Sequence, residues 1–310
     1  MKTLVVILNK DNAEGLKACV DSLISQTVRI CEDFDVLVLD GGSSDLSEEV
    51  VRELSLPCVI FKVQERLGGT GYARVEACDY ALKRGYDVVI WGDSENVYFP
   101  DYVEKMLEAL KSADAVGGKP VVRGGFFAHA FAWYHAIHAI IPRLVEKHIP
   151  GNNKAERVEV FRTVMYPESR RAEDYGFSLV LMKRGIKLRQ KLADARVFVS
   201  LPESWRGIFA WQRARAIGAS EAAHEAGVFP ADGLIWMPAL IPFFILPVFP
   251  LLSLLLISFV FIFSLFIFYR SRDYLESPKK RYFFAPFVGI LIHSAYTFIS
   301  LLHYIKLKIF

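Results

Sequence analysis

Val88-Val89-Ile90-Trp91-Gly92-Asp93-Ser94-Glu95 is an apolar run that ends in two carboxylates. Its first four residues read as a strand. Asp93 and Glu95, two positions apart at the strand end, leave the sheet together into a turn. There they can share a sugar ring or a divalent cation, in the all-oxygen chemistry of Mg²⁺ and Mn²⁺. A solvated acidic turn has the same local sequence, so the rest of the chain decides between the two readings.

Outward from this stretch, strands alternate with helices. Leu4–Leu8 is a short apolar strand ending at Asn9. Asn12-Ala13-Glu14 opens a helix in which Leu16, Cys19, Val20, Leu23 and Ile24 fall at helical spacing. Val36–Leu39 is a second strand, closed by the glycine turn Asp40-Gly41-Gly42-Ser43-Ser44-Asp45, where Ser44 or Asp45 can cap the next helix. Val59–Val63 is a third strand, Gly68-Gly69-Thr70-Gly71 opens a helix over Tyr72–Lys83, and Tyr102–Leu110 is another helix. This alternation predicts an α/β fold with a doubly wound, mostly parallel sheet. Ligands of such sheets bind beyond the carboxyl ends of the strands. Asn9, Asp11, Asp40, Asp45 and the Asp93/Glu95 pair all lie at such ends. The glycine segment is not a Walker loop, because no Lys-Ser/Thr follows, and it does not fit GxGxxG after a first strand. Its place before a helix still suits a diphosphate, to which Arg74 can add charge.

The chain has 310 residues, is 53% hydrophobic and carries a formal charge of +3, too small to argue for nucleic acid. Its mean hydropathy of +0.28 is high for a wholly soluble protein. Residues 1–230 have the character of a soluble α/β domain, and residues 231–310 that of a membrane domain. Cys19, Cys31, Cys58 and Cys78 form no CxxC pair and are expected as reduced core thiols in a reducing compartment. Met1-Lys2-Thr3 runs straight into a strand without a signal peptide.

Taken together, these blocks resemble the family 2 inverting glycosyltransferases of the GT-A fold. The strand and loop Val5-Val6-Ile7-Leu8-Asn9-Lys10-Asp11-Asn12 look like that family's opening. Val38-Leu39-Asp40-Gly41-Gly42-Ser43-Ser44-Asp45 resembles its V-D-[DG]-G-S-x-D segment, and Gly69-Thr70-Gly71-Tyr72-Ala73-Arg74 its G-x-x-x-A-R helix start. Asp93-Ser94-Glu95 stands in the place of D-x-D, and Glu173-Asp174 looks like its E-D motif. Gln212-Arg213-Ala214-Arg215 partly matches Q-x-x-R-W, with Ala216 where the Trp would be. The resemblance covers about residues 3–220. It implies a Rossmann-like GT-A domain and an inverting hexosyltransferase that uses a UDP- or GDP-sugar with Mn²⁺ or Mg²⁺. Asn9, Asp11 and Asp40 would serve the nucleoside, with Gly69 and Arg74 on the donor side. Asp93 would lie near the ribose or donor sugar and Glu95 on the cation, the two together making the metal site. Glu173 and Asp174 would be the catalytic acids, Asp174 as general base. Independently, Glu173-Asp174 precedes a helical pattern through Phe177, Leu179, Val180 and Met182, where two acids can also simply cap the helix. Arg213 and Arg215 can pair with the leaving diphosphate or with anionic lipid headgroups.

His129, His135 and His138 match no zinc spacing. Their stretch, Phe126–Leu144, reads as an amphipathic, interfacial helix rich in aromatic residues, and Gly151-Asn152-Asn153-Lys154 as a mobile loop near the acceptor. Leu234–Tyr269 is 36 residues without a charge. As one helix it would extend about 54 Å against a hydrocarbon core of about 30 Å. Pro247-Val248-Phe249-Pro250 is a natural break, giving a hairpin over 234–269. Loop 270–281 carries five basic residues and marks the cytoplasmic side, and a last helix covers 283–305. Nucleotide sugars are cytoplasmic, so the catalytic domain is expected on that side, with three crossings and Phe310 outside. The membrane location points to a lipid-linked acceptor. Alternatives are a polyprenyl-phosphate sugar synthase, whose ionised acceptor needs no general base, and a non-catalytic membrane scaffold.

Overall fold

The structure is a computed structural model and describes residues 1–309, apart from the surroundings of residues 232 and 233. In chain order the elements are β1 (Thr3–Asn9), α1 (Ala13–Ile24), β2 (Phe34–Asp40), α2 (Ser47–Glu53), β3 (Val59–Val63), α3 (Thr70–Lys83), β4 (Val88–Asp93), β5 (Val97–Tyr98), α4 (Tyr102–Leu110), β6 (Ala115–Arg123) and α5 (Phe126–Ile140). They continue with β7 (Lys154–Arg157), α6 (Glu159–Thr163), α7 (Glu173–Lys183), β8 (Gln190–Ser200), α8 (Trp205–Ala226), α9 (Asp232–Trp236), α10 (Ile241–Ile245), α11 (Pro250–Arg270) and α12 (Ala285–Ile309). The eight strands form one sheet in the order β3-β2-β1-β4-β7-β6-β8-β5. The first four are parallel and β7 runs antiparallel to β4. The doubly wound α/β expectation therefore holds over the part of the sheet that carries the motifs. Every residue of β1 is buried, as expected for a central strand covered on both faces by helices.

By packing, the chain divides into two compact units, residues 1–120 with 141–199, and residues 121–140 with 200–310. The sequence puts the change of hydropathy near 230. Packing instead groups α5 and α8 with the C-terminal helices, because α12 packs along α8 and α5.

In the first unit the core under the sheet includes Leu4, Val6, Leu37, Leu39, Ala73, Ala77, Val89, Trp91, Phe161 and Phe177. Two expectations are corrected here. Cys31 and Cys58 form a disulfide with their Cα atoms 5.2 Å apart, while Cys19 and Cys78 are buried free thiols. A separation of 27 residues gives no local signal of pairing; the chain reversal before β2 and the turn into β3 bring the two together. The segment 151–154 is not a mobile loop. Gly151–Asn153 is a 3₁₀ turn, Asn153 and Lys154 are buried, and Tyr102 donates to Asn153 Oδ1 at 2.7 Å.

In the second unit, α11 and the helical stretch Lys280–Ile309 are long and apolar enough to cross a membrane. The break at Pro247–Pro250 is present, with α11 starting at Pro250. Before it, α9, a 3₁₀ turn over Met237–Leu240 and α10 follow one another. At ordinary rises per residue that limb extends about 23 Å, against about 32 Å for α11. The basic loop is tied to its own unit: Glu276 N–H donates to Val122 O at 3.1 Å, and Lys279 N–H to His129 Nε2 at 2.9 Å. That second bond occupies His129 as an ordinary acceptor. The expectation for Phe310 lies outside the described residues.

Candidate active site

Strand register decides which acids meet. β1 pairs with β2 so that Asn9 lies opposite Asp40, and with β4 so that Leu8 lies opposite Asp93. The ends of three parallel strands thus set Asp40, Asn9 and Asp93 along one edge, the edge where sheets of this kind bind ligands.

Asp40 is 1% exposed, and its lone pairs are used by the loop that follows. Gly42 N–H and Ser43 N–H donate to Oδ2 at 2.9 and 2.7 Å, and Asn9 Nδ2 to Oδ1 at 2.8 Å. Asp40 and Asn9 therefore shape the loop. Asp11 is exposed and has a positive φ of 46°, the left-handed conformation that Asp tolerates better than most residues. Its Oδ1 accepts Ser44 N–H at 2.8 Å, and this bond holds the carboxyl below its usual range against a small desolvation. Asp11 and Asp45 are the carboxylates of these loops that face solvent, Asp11 beside Lys10 Nζ at 3.3 Å. Asp45 accepts from Ala13 N–H at 2.8 Å and from Ser47, joining the start of α1 to that of α2.

The turn after β4 is pinned on both sides. Ser94 N–H donates to Leu8 O at 2.9 Å, and Asp93 N–H to Asn96 Oδ1 at 2.7 Å. Asn96 is fully buried. Asn96, three residues after the first acid, closes the turn by accepting from that acid's N–H. Glu95 is exposed at the tip of the turn. Burial, then the charge of Glu95, pushes Asp93 up to about 7; Glu173 and Asp174 act in the same direction and Arg74 opposes them. The structure therefore brings the two acidic motifs, 93/95 and 173/174, within electrostatic reach of each other. Crowded carboxylates at a turn fit a divalent cation, which would relieve their repulsion. Among the described residues, no group of three His, Cys, Asp or Glu side chains forms a site from protein alone.

The first turn of α3 is covered. Thr70 N–H and Gly71 N–H donate to the carbonyls of Arg170 and Ser169, at 3.3 and 3.1 Å. A Cβ on Gly71 would lie 2.5 Å from Ser169 O, so glycine is what allows this close approach. The N–H groups expected to meet a diphosphate are thus spent on the chain, and Gly69 is packed against Ser169 and Arg170. Arg74 is 2% exposed. Its Nε donates to Glu173 Oε1 at 2.8 Å, and its guanidinium stacks on the Trp91 ring at 4.6 Å. Thr70 Oγ1 donates to Glu173 Oε2. Glu173 thereby couples the start of α7 to α3.

Asp174 is held from two sides. Gly151 N–H donates to Oδ2 at 2.9 Å and Tyr175 N–H to Oδ1 at 2.7 Å. Burial raises this carboxyl, but the charges of His148 and Arg74 and the two N–H groups outweigh it and hold Asp174 below the usual range. His148 reaches the same place through Ser178, whose hydroxyl lies 3.0 Å from His148 Nδ1 and donates to Asp174 O. Beneath the site, Lys154 and Glu156 form an ion pair of 2.7 Å at 2% and 0% side-chain exposure. Trp91 Nε1 and Tyr166 OH both donate to Glu156 Oε2, at 2.8 and 2.6 Å. In the second unit, Arg213 is exposed, whereas Arg215 lies over the rings of Tyr134 (3.7 Å) and Trp211 (4.8 Å).

The model of the family described as Glycosyl transferase family 2 matches residues 4–165. An undecaprenyl-phosphate mannosyltransferase of Micrococcus luteus is 24% identical over 206 residues, 64% of this chain and 83% of that protein. A polyprenol monophosphomannose synthase of Mycolicibacterium smegmatis is 28% identical over 128 residues, and the match spans 40% of this chain and 47% of that one. Among solved structures, the mannosyltransferase PcManGT of Pyrobaculum calidifontis, in complex with GDP-Man and Mn²⁺, superposes with a TM-score of 0.54 at 17% identity. That match covers 72% of this chain and 63% of the other, and it supports the GT-A fold alone.

Proposed function

Because the chain belongs to glycosyl transferase family 2, we propose that it moves a sugar from a nucleoside diphosphate donor to a polyprenyl phosphate at a membrane surface. The observation that carries the acceptor is the state of Asp174. Both of its oxygens accept backbone N–H bonds, and its carboxyl lies below the usual range. General bases work best with a pKa near the operating pH, and the two N–H bonds with His148 and Arg74 hold Asp174 in the opposite direction. A phosphate acceptor is already ionised and needs no base. That the two relatives are an undecaprenyl-phosphate mannosyltransferase and a polyprenol monophosphomannose synthase supports the same choice.

The reaction then balances without a proton transfer. A phosphate oxygen of the acceptor attacks the anomeric carbon from the face opposite the leaving group. The bond from that carbon to the diphosphate breaks, the nucleoside diphosphate leaves with the electron pair, and the anomeric centre inverts. Asp11 faces solvent at the nucleoside end of the edge, on a loop shaped by Asn9 and Asp40. Asp93 orients the ribose or sugar. Glu95, with Asp93, would hold Mn²⁺ or Mg²⁺, and oxygens of the donor would complete the ligand set. Such an ion supplies Lewis-acid stabilisation of the departing diphosphate. Arg74 and Glu173 fix α3 against α7 and so keep Asp93 and Asp174 in place.

Asp174→Asn tests the acceptor. With a polyprenyl phosphate acceptor, kcat stays within about tenfold of wild type at unchanged donor affinity. A general base acting on a hydroxyl would be worth a factor of about 10²–10⁴, and a loss of that size would reverse the assignment. Calorimetric titration of UDP-, GDP- and dTDP-sugars with Mn²⁺ identifies the donor. Transfer should cease in EDTA and return with added Mn²⁺ or Mg²⁺; transfer that persists in EDTA would refute the metal role. For the membrane, we propose that 234–269 leaves and returns on the cytoplasmic side and that the last helix crosses, giving three crossings. The five basic residues of loop 270–281 support this. Ser277→Cys is then labelled by an impermeant thiol reagent in inside-out vesicles, and Val248→Cys in right-side-out ones. Labelling of Ser277→Cys from the outside would overturn the topology.

A further inference from the structure

The end of α11 is a boundary between apolar and basic surface. Along α11 large apolar side chains face outward, from Leu251 at 79% exposed to Tyr269 at 68%. From Arg270 onward the character changes. Loop 270–281 carries Arg270, Arg272, Lys279, Lys280 and Arg281, all exposed. Its two acids do not balance them: Glu276 is taken up by Arg123 at 3.2 Å, which leaves Asp273 to oppose five cations.

The loop is fixed in place. Glu276 N–H donates to Val122 O and Lys279 N–H to His129 Nε2, while His129 Nδ1 lies 2.7 Å from Gly125 O. The start of α5 thus holds the basic residues where they are. Aromatic rings gather at the same level. The His129 ring lies 6.4 Å from Phe268, on the last turn of α11, and 4.8 Å from Tyr282. Phe126 lies 6.0 Å from Tyr282 and 6.1 Å from Trp205, the first residue of α8. Trp205 nevertheless stays 51% exposed, and Phe283 and Phe284 stay 47% and 41% exposed. Arg206 adds a cation beside Trp205, and Glu203 offsets it. Large open rings next to a row of cations mark an interaction surface. At a bilayer, such rings settle where the hydrocarbon ends and the cations reach the headgroups beyond it.

We propose that loop 270–281 and the starts of α5 and α8 form a docking surface for the anionic phospholipid headgroups of the bilayer. Lys279, Lys280 and Arg281 meet the anionic groups, and Trp205, Phe283 and Phe284 sit at the edge of the hydrocarbon. Charge and continuity decide the occupant: the surface is basic, and it begins where the exposed apolar wall of α11 stops. The cytoplasmic leaflet, the side expected for this loop, is the anionic one. Because α5 already holds the loop, headgroups bind without the cost of ordering it. The proposal rests on α11 spanning a bilayer and not on the acceptor assigned above.

The test uses the full-length protein in phosphatidylcholine nanodiscs, with a donor fluorophore on Ser277→Cys. Chain-labelled phosphatidylglycerol or phosphatidylcholine serves as the energy acceptor, so transfer reports which lipid gathers at the loop. Phosphatidylglycerol should reach half-maximal transfer at the lower mole fraction. Each of Lys279→Gln, Lys280→Gln and Arg281→Gln should raise that fraction by up to about fivefold and leave phosphatidylcholine unchanged. About 1 M salt should do the same to the unsubstituted loop. Donor-sugar affinity should stay within about twofold in each variant, which also reports that it is folded. Trp205 emission, taken as the difference between wild type and Trp205→Phe, should be quenched more by chains brominated near the headgroup than near the methyl end. Equal transfer to the two lipids, or a preference that survives all three substitutions together, would overturn the surface; protein that still resists alkaline extraction would then leave the span of α11 standing. Release by alkaline extraction would remove the span and the surface with it. A charge-dependent lipid preference without sugar transfer to polyprenyl phosphate would keep the surface and sink the acceptor assignment.

Discussion

Glu95→Ala should lower turnover at saturating donor by about 10³-fold while leaving the protein folded. The side chain is exposed at the tip of the turn, so its removal opens no cavity and strands no buried partner. What it removes is one of two carboxylates placed to hold the cation. Losing several kcal/mol of charge stabilisation on the leaving diphosphate corresponds to a factor of this order. Single-turnover transfer with added Mn²⁺ measures the effect, and an unchanged unfolding temperature checks the fold. Turnover within tenfold of wild type would mean that Glu95 does not serve the cation. Asp93→Asn should be comparably severe. It also removes a carboxyl raised first by burial and then by the charge of Glu95, so its unfolding temperature should rise or stay level. A stability gain together with lost activity is the signature of a charge kept for function.

Lys154→Met should destabilise the protein by about 3–5 kcal/mol, because it leaves Glu156 as an unpaired charge in a site with no solvent. For a unit of this size that corresponds to a drop of roughly 10 °C in unfolding temperature. Adding Glu156→Gln should recover part of the loss, since the glutamine oxygen still accepts from Trp91 and Tyr166 and no charge remains. A single variant as stable as wild type would show that the pair contributes nothing. Activity should fall together with stability: Trp91 carries both the bond to Glu156 and the stacked Arg74, which in turn holds Glu173.

Strands β5 to β8 came only from the structure, whereas the sequence alone determined the first four strands, their order of appearance, the acidic ends and the family. These are local or periodic properties: an apolar run of strand length, a glycine turn after Asp40, two acids after Trp91. The register of β1 against β2 and β4 then turned separate motifs into one edge. Only the tertiary structure decided which members of the edge are open and which are spent. Asp40 and Asn9 look equal to Asp11 in the sequence, yet they are buried and saturated by their own loop. Gly69 and the first turn of α3 look free, but residues 167–170 cover them. Arg74 and Glu173 look like ligands, and they bind each other. Lys154 was expected at the end of a mobile loop, yet antiparallel pairing with β4 buries it together with Glu156. The Cys31–Cys58 disulfide was equally illegible, since its members are far apart in the chain. Propensity and pattern act over a few residues, whereas burial, ion pairing and the satisfaction of polar atoms depend on which distant segments meet.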